Sequence, residues 1–112
     1  MLTIESLRNF GADTAQGLGR CMNNEAFYLR LVNMGLDDAN FGRLEAAVQN
    51  GDRKAAFEAA HALKGVLGNL SLTPLYEPVS EMTELLRADR DADYPAILAG
   101  IREKREALLA LR

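Results

Sequence analysis

The chain has 112 residues, 48% of them hydrophobic, which suffices for one hydrophobic core and is short for two domains. Its formal net charge of -3 and sequence pI near 5.1 argue against a general nucleic-acid-binding protein, because contact with the phosphate backbone usually needs a basic face. These figures predict a single acidic domain over residues 1–112.

Apolar residues recur at three- and four-residue intervals almost throughout the chain, which predicts an all-α protein. A short first helix is expected from about Ile4 to Phe10, with Thr3 as its N-cap. A second helix begins after Asp13. Its buried side is predicted to comprise Ala15, Leu18 and Met22.

The third predicted helix is capped by Asn23 or Asn24 and leads toward a turn at Asn50-Gly51-Asp52. The pattern is compatible with either a kink or a true break at about Gly35 to Asn40. Spacing places two apolar groups on its buried side: Phe27, Tyr28, Leu31 and Met34, then Leu44, Ala47 and Val48.

A long helix is predicted to follow the N-cap Asp52 and to end at about Leu70 or Ser71. The only histidine, His61, lies near the middle of this helix, which is roughly 27 Å long. The unpaired N–H groups at the helix N-terminus are therefore too far from His61 to bind an anion there.

Two more helices complete the prediction. One starts either at Thr73-Pro74 or at Pro78, and the other follows Asp93 or Tyr94. Four long amphipathic segments with short connections predict an antiparallel four-helix bundle with short additional N-terminal helices. The expected core residues of the last two helices are Val79, Met82, Leu85, Leu86, Ile97, Ile101, Leu108 and Leu111.

His61 lies on the polar side of its predicted helix. A helix turns by about 100° per residue, which places an apolar stripe more than about 110° away from His61. The stripe comprises Ala55, Ala56, Ala59, Leu63, Val66, Leu67 and Leu70. The residues on the histidine's own side are Lys54, Phe57, Glu58, Lys64, Gly65 and Gly68. The imidazole is therefore expected to face outward.

Two glycines, Gly65 and Gly68, follow His61 one and two turns along the same side. Each glycine inside a helix costs about 1 kcal/mol relative to alanine, so their presence needs a compensating reason. We interpret both as leaving the imidazole accessible to another protein's active site. Lys64 supplies a cation for an anionic group beside the ring.

The run Ala60-His61-Ala62-Leu63-Lys64-Gly65, continued by Gly68-Asn69-Leu70, resembles the motif of the histidine phosphotransfer (HPt) domains of bacterial two-component phosphorelays. The resemblance extends from about Phe10 to Arg90. Three further segments contribute to it: Asp13 to Arg20, Phe27-Tyr28-Leu29, and Gly51-Asp52.

The sequence departs from the family pattern at three positions. Pro78 stands where the family usually continues a helix with an apolar residue, and Gly35 and Gly42 interrupt the preceding helical region. These departures bear on local helix geometry and leave the resemblance around His61 intact.

The resemblance implies a stoichiometric phosphocarrier rather than an enzyme. His61 would accept a phosphoryl group from a receiver-domain aspartate and pass it to another receiver. Lys64 would stabilise the phosphate charge, and Gly65 would keep the approach open.

Three more residues are candidates for partner binding. Phe57 either docks a receiver or packs against a neighbouring helix. Glu58 either orients the His61 ring or is a surface carboxylate. Gly68 is grouped with them because it shares the histidine's side of the helix.

A single histidine and the single cysteine, Cys21, cannot furnish a clustered metal site, and no nucleotide-binding motif is present. We therefore expect no cofactor, with magnesium bound by the partner receiver. The expected partners are response-regulator receiver domains and a hybrid histidine kinase, without nucleic acid or membrane. We also expect a monomer. We expect it to be cytoplasmic, because the chain has no membrane-spanning apolar run and no N-terminal secretion signal.

Two alternatives remain open. The chain could be a receiver-binding or structural helical bundle that carries no phosphate. It could also be a phosphotransfer module excised from a larger, chemotaxis-type histidine kinase, in which case a kinase would phosphorylate His61 directly from ATP.

Overall fold

The computed structural model describes residues 1–112 and contains seven α-helices and no strand, which confirms the predicted all-α class. The helices are α1 (Ile4–Phe10), α2 (Thr14–Arg20), α3 (Glu25–Leu36), α4 (Asn40–Gln49), α5 (Arg53–Asn69), α6 (Thr73–Arg87) and α7 (Tyr94–Leu109).

Helices α4 to α7 form the predicted four-helix bundle. Helix α5 packs along both α4 and α6, and α7 closes the bundle against α6 and α4. The short connections make sequential helices antiparallel. Each of these four helices contributes fully buried side chains to the centre of the bundle, among them Leu44, Leu63, Leu67, Met82 and Ile101.

The N-terminal helices pack at the end of the bundle where α5 terminates. The Tyr28 hydroxyl donates a hydrogen bond to the Leu70 carbonyl oxygen at 2.7 Å. Arg20 Nη1 donates to the carbonyl oxygens of Gly68 and Asn69 at 2.7 and 3.2 Å. The last carbonyls of a helix have no partner within it, so α2 and α3 satisfy groups that α5 leaves open.

The region between Gly35 and Asn40 is a true break rather than a kink. Helix α3 ends at Leu36, whose carbonyl oxygen accepts two hydrogen bonds from Arg105 of α7, at 2.9 and 2.8 Å. Gly35 is buried, and a Cβ added there would lie 2.6 Å from Leu70 Cδ1. This glycine therefore lets α3 approach the end of α5 closely.

The predicted buried side of α2 is wrong. The helix buries Thr14 and Gly17, whereas Ala15 is exposed and Leu18 is only partly buried. Met22, which was predicted to be buried, is 91% exposed. The reason is that α2 ends at Arg20 and the chain then turns through positive φ angles, which points Met22 into solvent.

The predicted buried side of α3 is also wrong in part. Phe27 and Met34 are exposed, at 42% and 63%. The buried stripe follows the i, i+4, i+8 spacing of Tyr28, Val32 and Leu36. Of the four residues predicted to be buried, only Tyr28 lies on this stripe. Seven other residues predicted to be buried are only partly buried: Leu31, Val48, Ala55, Val66, Leu85, Ile97 and Leu111.

The boundaries of the last three helices follow from local capping. Asp52 and Asp93 are the N-caps of α5 and α7, each accepting a backbone N–H hydrogen bond. Helix α6 begins at Thr73, which places Pro74 in the first turn and Pro78 inside the helix. Pro78 therefore interrupts the α6 hydrogen-bond ladder, because it has no N–H to donate to the carbonyl four residues earlier.

Candidate functional site

His61 lies halfway along α5 and is exposed to solvent, as its position on the helix predicts. Ala60, Leu63 and Leu67 of the same helix are fully buried in the bundle. The buried side of α5 thus anchors the backbone, while the imidazole stands on the opposite side, where a macromolecule can contact it.

Phe57 lies one turn before His61 and stacks on it. The two ring centroids are 5.5 Å apart and the ring planes differ by 14°. Phe57 also packs against the hydrophobic core, and the guanidinium carbon of Arg87 on α6 lies 5.1 Å from the centre of its ring. Phe57 therefore contacts both the imidazole of His61 and the guanidinium of Arg87 on α6.

Lys64 lies on the same side of α5, one turn after His61, and pairs with a carboxylate of α6. Its Nζ is 3.7 Å from Glu84 Oε2, and the same oxygen accepts a hydrogen bond from Arg87 Nε at 3.1 Å. The hydrogen bond from Arg87, and to a smaller extent the Lys64 charge, holds the pKa of Glu84 below its ordinary value. The carboxylate is therefore ionised at neutral pH.

The two glycines that follow His61 have different surroundings. A Cβ added at Gly65 would meet no heavy atom within 4 Å, so the space beside the imidazole is open. A Cβ at Gly68 would lie 3.2 Å from Tyr76 Cε2 on α6. The missing side chain at Gly68 therefore accommodates helix packing, which differs from the sequence interpretation that it keeps the imidazole accessible.

Glu58 is exposed and lies beside a groove between α4 and α5. The groove is lined mainly by polar and small side chains: Asn40, Arg43, Ala46, Ala47, Asn50, Asp52, Ala55 and Ala59. Glu58 therefore faces the α4 side of α5, whereas Lys64 reaches toward α6.

Glu84 and Arg87 belong to this site but are not predicted to do so by the sequence pattern. Both lie on α6, so their approach to α5 depends on how the two helices cross. Their i, i+3 spacing and opposite charges indicate an ion pair on the surface of a helix. This spacing does not indicate that Lys64 also pairs with Glu84.

The arrangement suits transfer of an anionic group between macromolecules. It combines an exposed imidazole, which can act as a nucleophile, with a cation one turn away and open space at Gly65. No cluster of three or more potential metal ligands occurs in the chain. None of the seven helices has both the length and the apolar character that crossing a bilayer requires.

Comparison with protein families identifies one match. The model described as the Hpt domain matches residues 38–111, which include α4 to α7 and His61. Comparisons with curated proteins and with solved structures find no match. Hpt domains are helical phosphocarrier modules that act in two-component systems and interact with receiver domains and kinases. Because the match covers well over half of its residues, the chain belongs to the Hpt domain family.

Proposed function

We propose that this chain accepts a phosphoryl group on His61 from the phosphorylated aspartate of one receiver domain and passes it to the aspartate of a second receiver. The supporting observation is the exposed imidazole of His61 with open space beside it at Gly65. In this proposal residues 1–112 form one domain that acts as a stoichiometric carrier.

The transfer to His61 is a substitution at phosphorus. One nitrogen of the neutral imidazole attacks in line with the bond between phosphorus and the aspartyl oxygen. The N–P bond forms while the O–P bond breaks, and the electron pair of the broken bond leaves with the carboxylate. The other ring nitrogen releases its proton to solvent. In the second transfer a receiver carboxylate attacks phosphorus, and the His61 nitrogen departs and the ring regains a proton.

Lys64 and Gly65 assist this step in different ways. The Lys64 ammonium offsets the charge of the phosphoryl group, because it lies on the same side of α5 as His61. Gly65 gives the receiver a steric path to the imidazole. Phe57 and Glu58 contribute to the receiver-binding surface, and Gly68 supports that surface by letting Tyr76 pack against α5.

In this proposal the receiver supplies the metal ion for the transfer. Magnesium bound by the receiver stabilises the transition-state charge, so the phosphocarrier has no cofactor of its own. The partners are response-regulator receivers and a hybrid histidine kinase. We expect the carrier to work as a monomer in the cytoplasm, where those partners act.

The experiment is to mix the protein with a radiolabelled, phosphorylated receiver and magnesium. We expect acid-labile, alkali-stable label on the wild type and none on His61→Gln. A matched control is Glu103→Gln, a substitution at an exposed residue of α7, which should leave labelling unchanged. Equal labelling of wild type and His61→Gln would refute the function.

A further inference from the structure

Lys64, the cation beside His61, already forms an ion pair with Glu84 in the unmodified protein. We propose, on the basis of the function above, that Glu84 is an exchangeable counter-ion that holds Lys64 while His61 is unmodified and releases it to the phosphoryl group. Glu84 is then a positioning residue: it acts through Lys64, and its charge sets how strongly the domain retains the phosphoryl group.

The geometry of the shared oxygen makes Lys64 the weaker of two partners. Glu84 Oε2 lies 3.1 Å from Arg87 Nε and 3.7 Å from Lys64 Nζ. The shorter contact is a hydrogen bond, whereas the longer one is an ion pair without hydrogen-bond distance. Lys64 can therefore leave without depriving the carboxylate of its cation.

Arg87 is held in place from a second direction. Its guanidinium lies 5.1 Å from the centre of the Phe57 ring, at cation–π distance, while its Nε binds Glu84. Phe57 packs against the core. Arg87 thus stays with Glu84 when Lys64 moves, and the ion pair that remains lies within α6.

Lys64 has the freedom to move toward His61. Its side chain is 27% exposed, and the two residues are three positions apart on one side of α5. An ammonium group on a flexible stem binds an anion as a point charge, without the directional demands of a guanidinium. A phosphoryl group carries about two negative charges, against one for the Glu84 carboxylate, and so attracts the ammonium more strongly.

The direction of the effect follows from this competition. Before His61 is phosphorylated, Glu84 stabilises Lys64. After phosphorylation, the Glu84 carboxylate competes with the phosphoryl group for Lys64. Removing that charge removes a stabilising contact from the unmodified protein and a competitor from the modified one. Both changes favour the phosphorylated domain over the phosphorylated receiver.

The test measures the equilibrium ratio of phosphorylated domain to phosphorylated receiver. We expect Glu84→Gln to raise this ratio by about two- to fivefold, the range typical of exposed ion pairs. The matched control is Glu81→Gln, because Glu81 is exposed on the same helix. That control should leave the ratio unchanged. Arg87→Gln should lower the ratio, because Glu84 then depends on Lys64 alone.

A second background shows whether Glu84 acts through Lys64. In Lys64→Gln protein, the further change Glu84→Gln should no longer raise the ratio. The proposal is overturned if Glu84→Gln leaves the ratio unchanged in otherwise wild-type protein, or raises it equally without Lys64. Absence of label on wild-type His61 would instead refute the proposed function, so the two failures are distinguishable. Far-UV circular dichroism confirms that each variant is helical.

Discussion

Substituting leucine for Gly65 tests whether the space beside His61 serves phosphoryl transfer. A side chain on an α-helix leans toward the helix N-terminus and covers the turn before its own Cα. A leucine at position 65 would therefore extend over the imidazole, which lies one turn earlier on α5. Because a Cβ at Gly65 would meet no heavy atom within 4 Å, the backbone at this position has room for a side chain to begin.

The same substitution should strengthen the helix. Glycine inside a helix is about 0.8–1.0 kcal/mol less favourable than alanine, and leucine is close to alanine. Gly65 lies in the interior of α5, so we expect the free energy of unfolding to rise by about 0.5–1 kcal/mol. The rate of transfer to His61 should fall by about tenfold or more, because productive geometry tolerates little displacement of the reacting groups.

Urea denaturation measures the stability, and single-turnover transfer from a phosphorylated receiver measures the rate. The matched control is Gly100→Leu, at a helical glycine of α7 whose added Cβ also meets nothing within 4 Å. It should gain similar stability and transfer normally, since α7 packs on α4 and α6. Transfer at the wild-type rate by folded Gly65→Leu protein would refute the steric argument.

Three further predictions concern the framework around the site. Tyr28→Phe should lower the free energy of unfolding by about 1–3 kcal/mol, because it leaves a buried carbonyl without its donor. Burial raises the pKa of Tyr28 to about 12, so the stabilising contribution of the neutral hydroxyl is fully present below pH 10.0 and is lost as the pH approaches 12. In denaturation at high pH, the difference in free energy of unfolding between wild type and Tyr28→Phe should therefore become smaller. Gly68→Leu should unfold at lower urea concentration than wild type, because its Cβ meets the Tyr76 ring; equal midpoints would contradict this. The hydrogen bond from Arg112 lowers the pKa of Asp37, so the contribution of this pair to the free energy of unfolding is present above pH 3.8 and is lost as the pH falls through the lowered pKa. In Asp37→Asn protein, the free energy of unfolding should therefore depend less on pH in the acid range.

Helix boundaries set by local contacts were predictable from the sequence. Thr3 caps α1 through a reciprocal contact with Ser6, and Asp13, Asp52 and Asp93 cap later helices through N–H groups three residues onward. Such contacts involve residues close in sequence, so a short motif contains all the participants. Apolar periodicity likewise identified the buried stripe of α5, since that helix is long and regular.

Features that depend on distant residues were not predictable. The break after Leu36 is held by Arg105, which comes from the last helix, and the turn at Met22 depends on φ angles that composition does not reveal. The candidate site divides in the same way. His61 and Lys64 share one side of one helix, which spacing shows, whereas Glu84 joins them only through the crossing of α5 and α6.

Residues outside the part of the chain that the family model matches contact the histidine helix. That part starts at residue 38, yet the terminal carbonyls of the histidine helix are bound by Arg20 and Tyr28, which precede it. A chain shortened to residues 38–112 would expose those carbonyls and the apolar surface that Val32 and Leu36 cover. We expect the last turns of α5 to fray toward His61 in that shortened chain, because the hydrogen bonds from α2 and α3 stabilise the end of the helix that carries the imidazole.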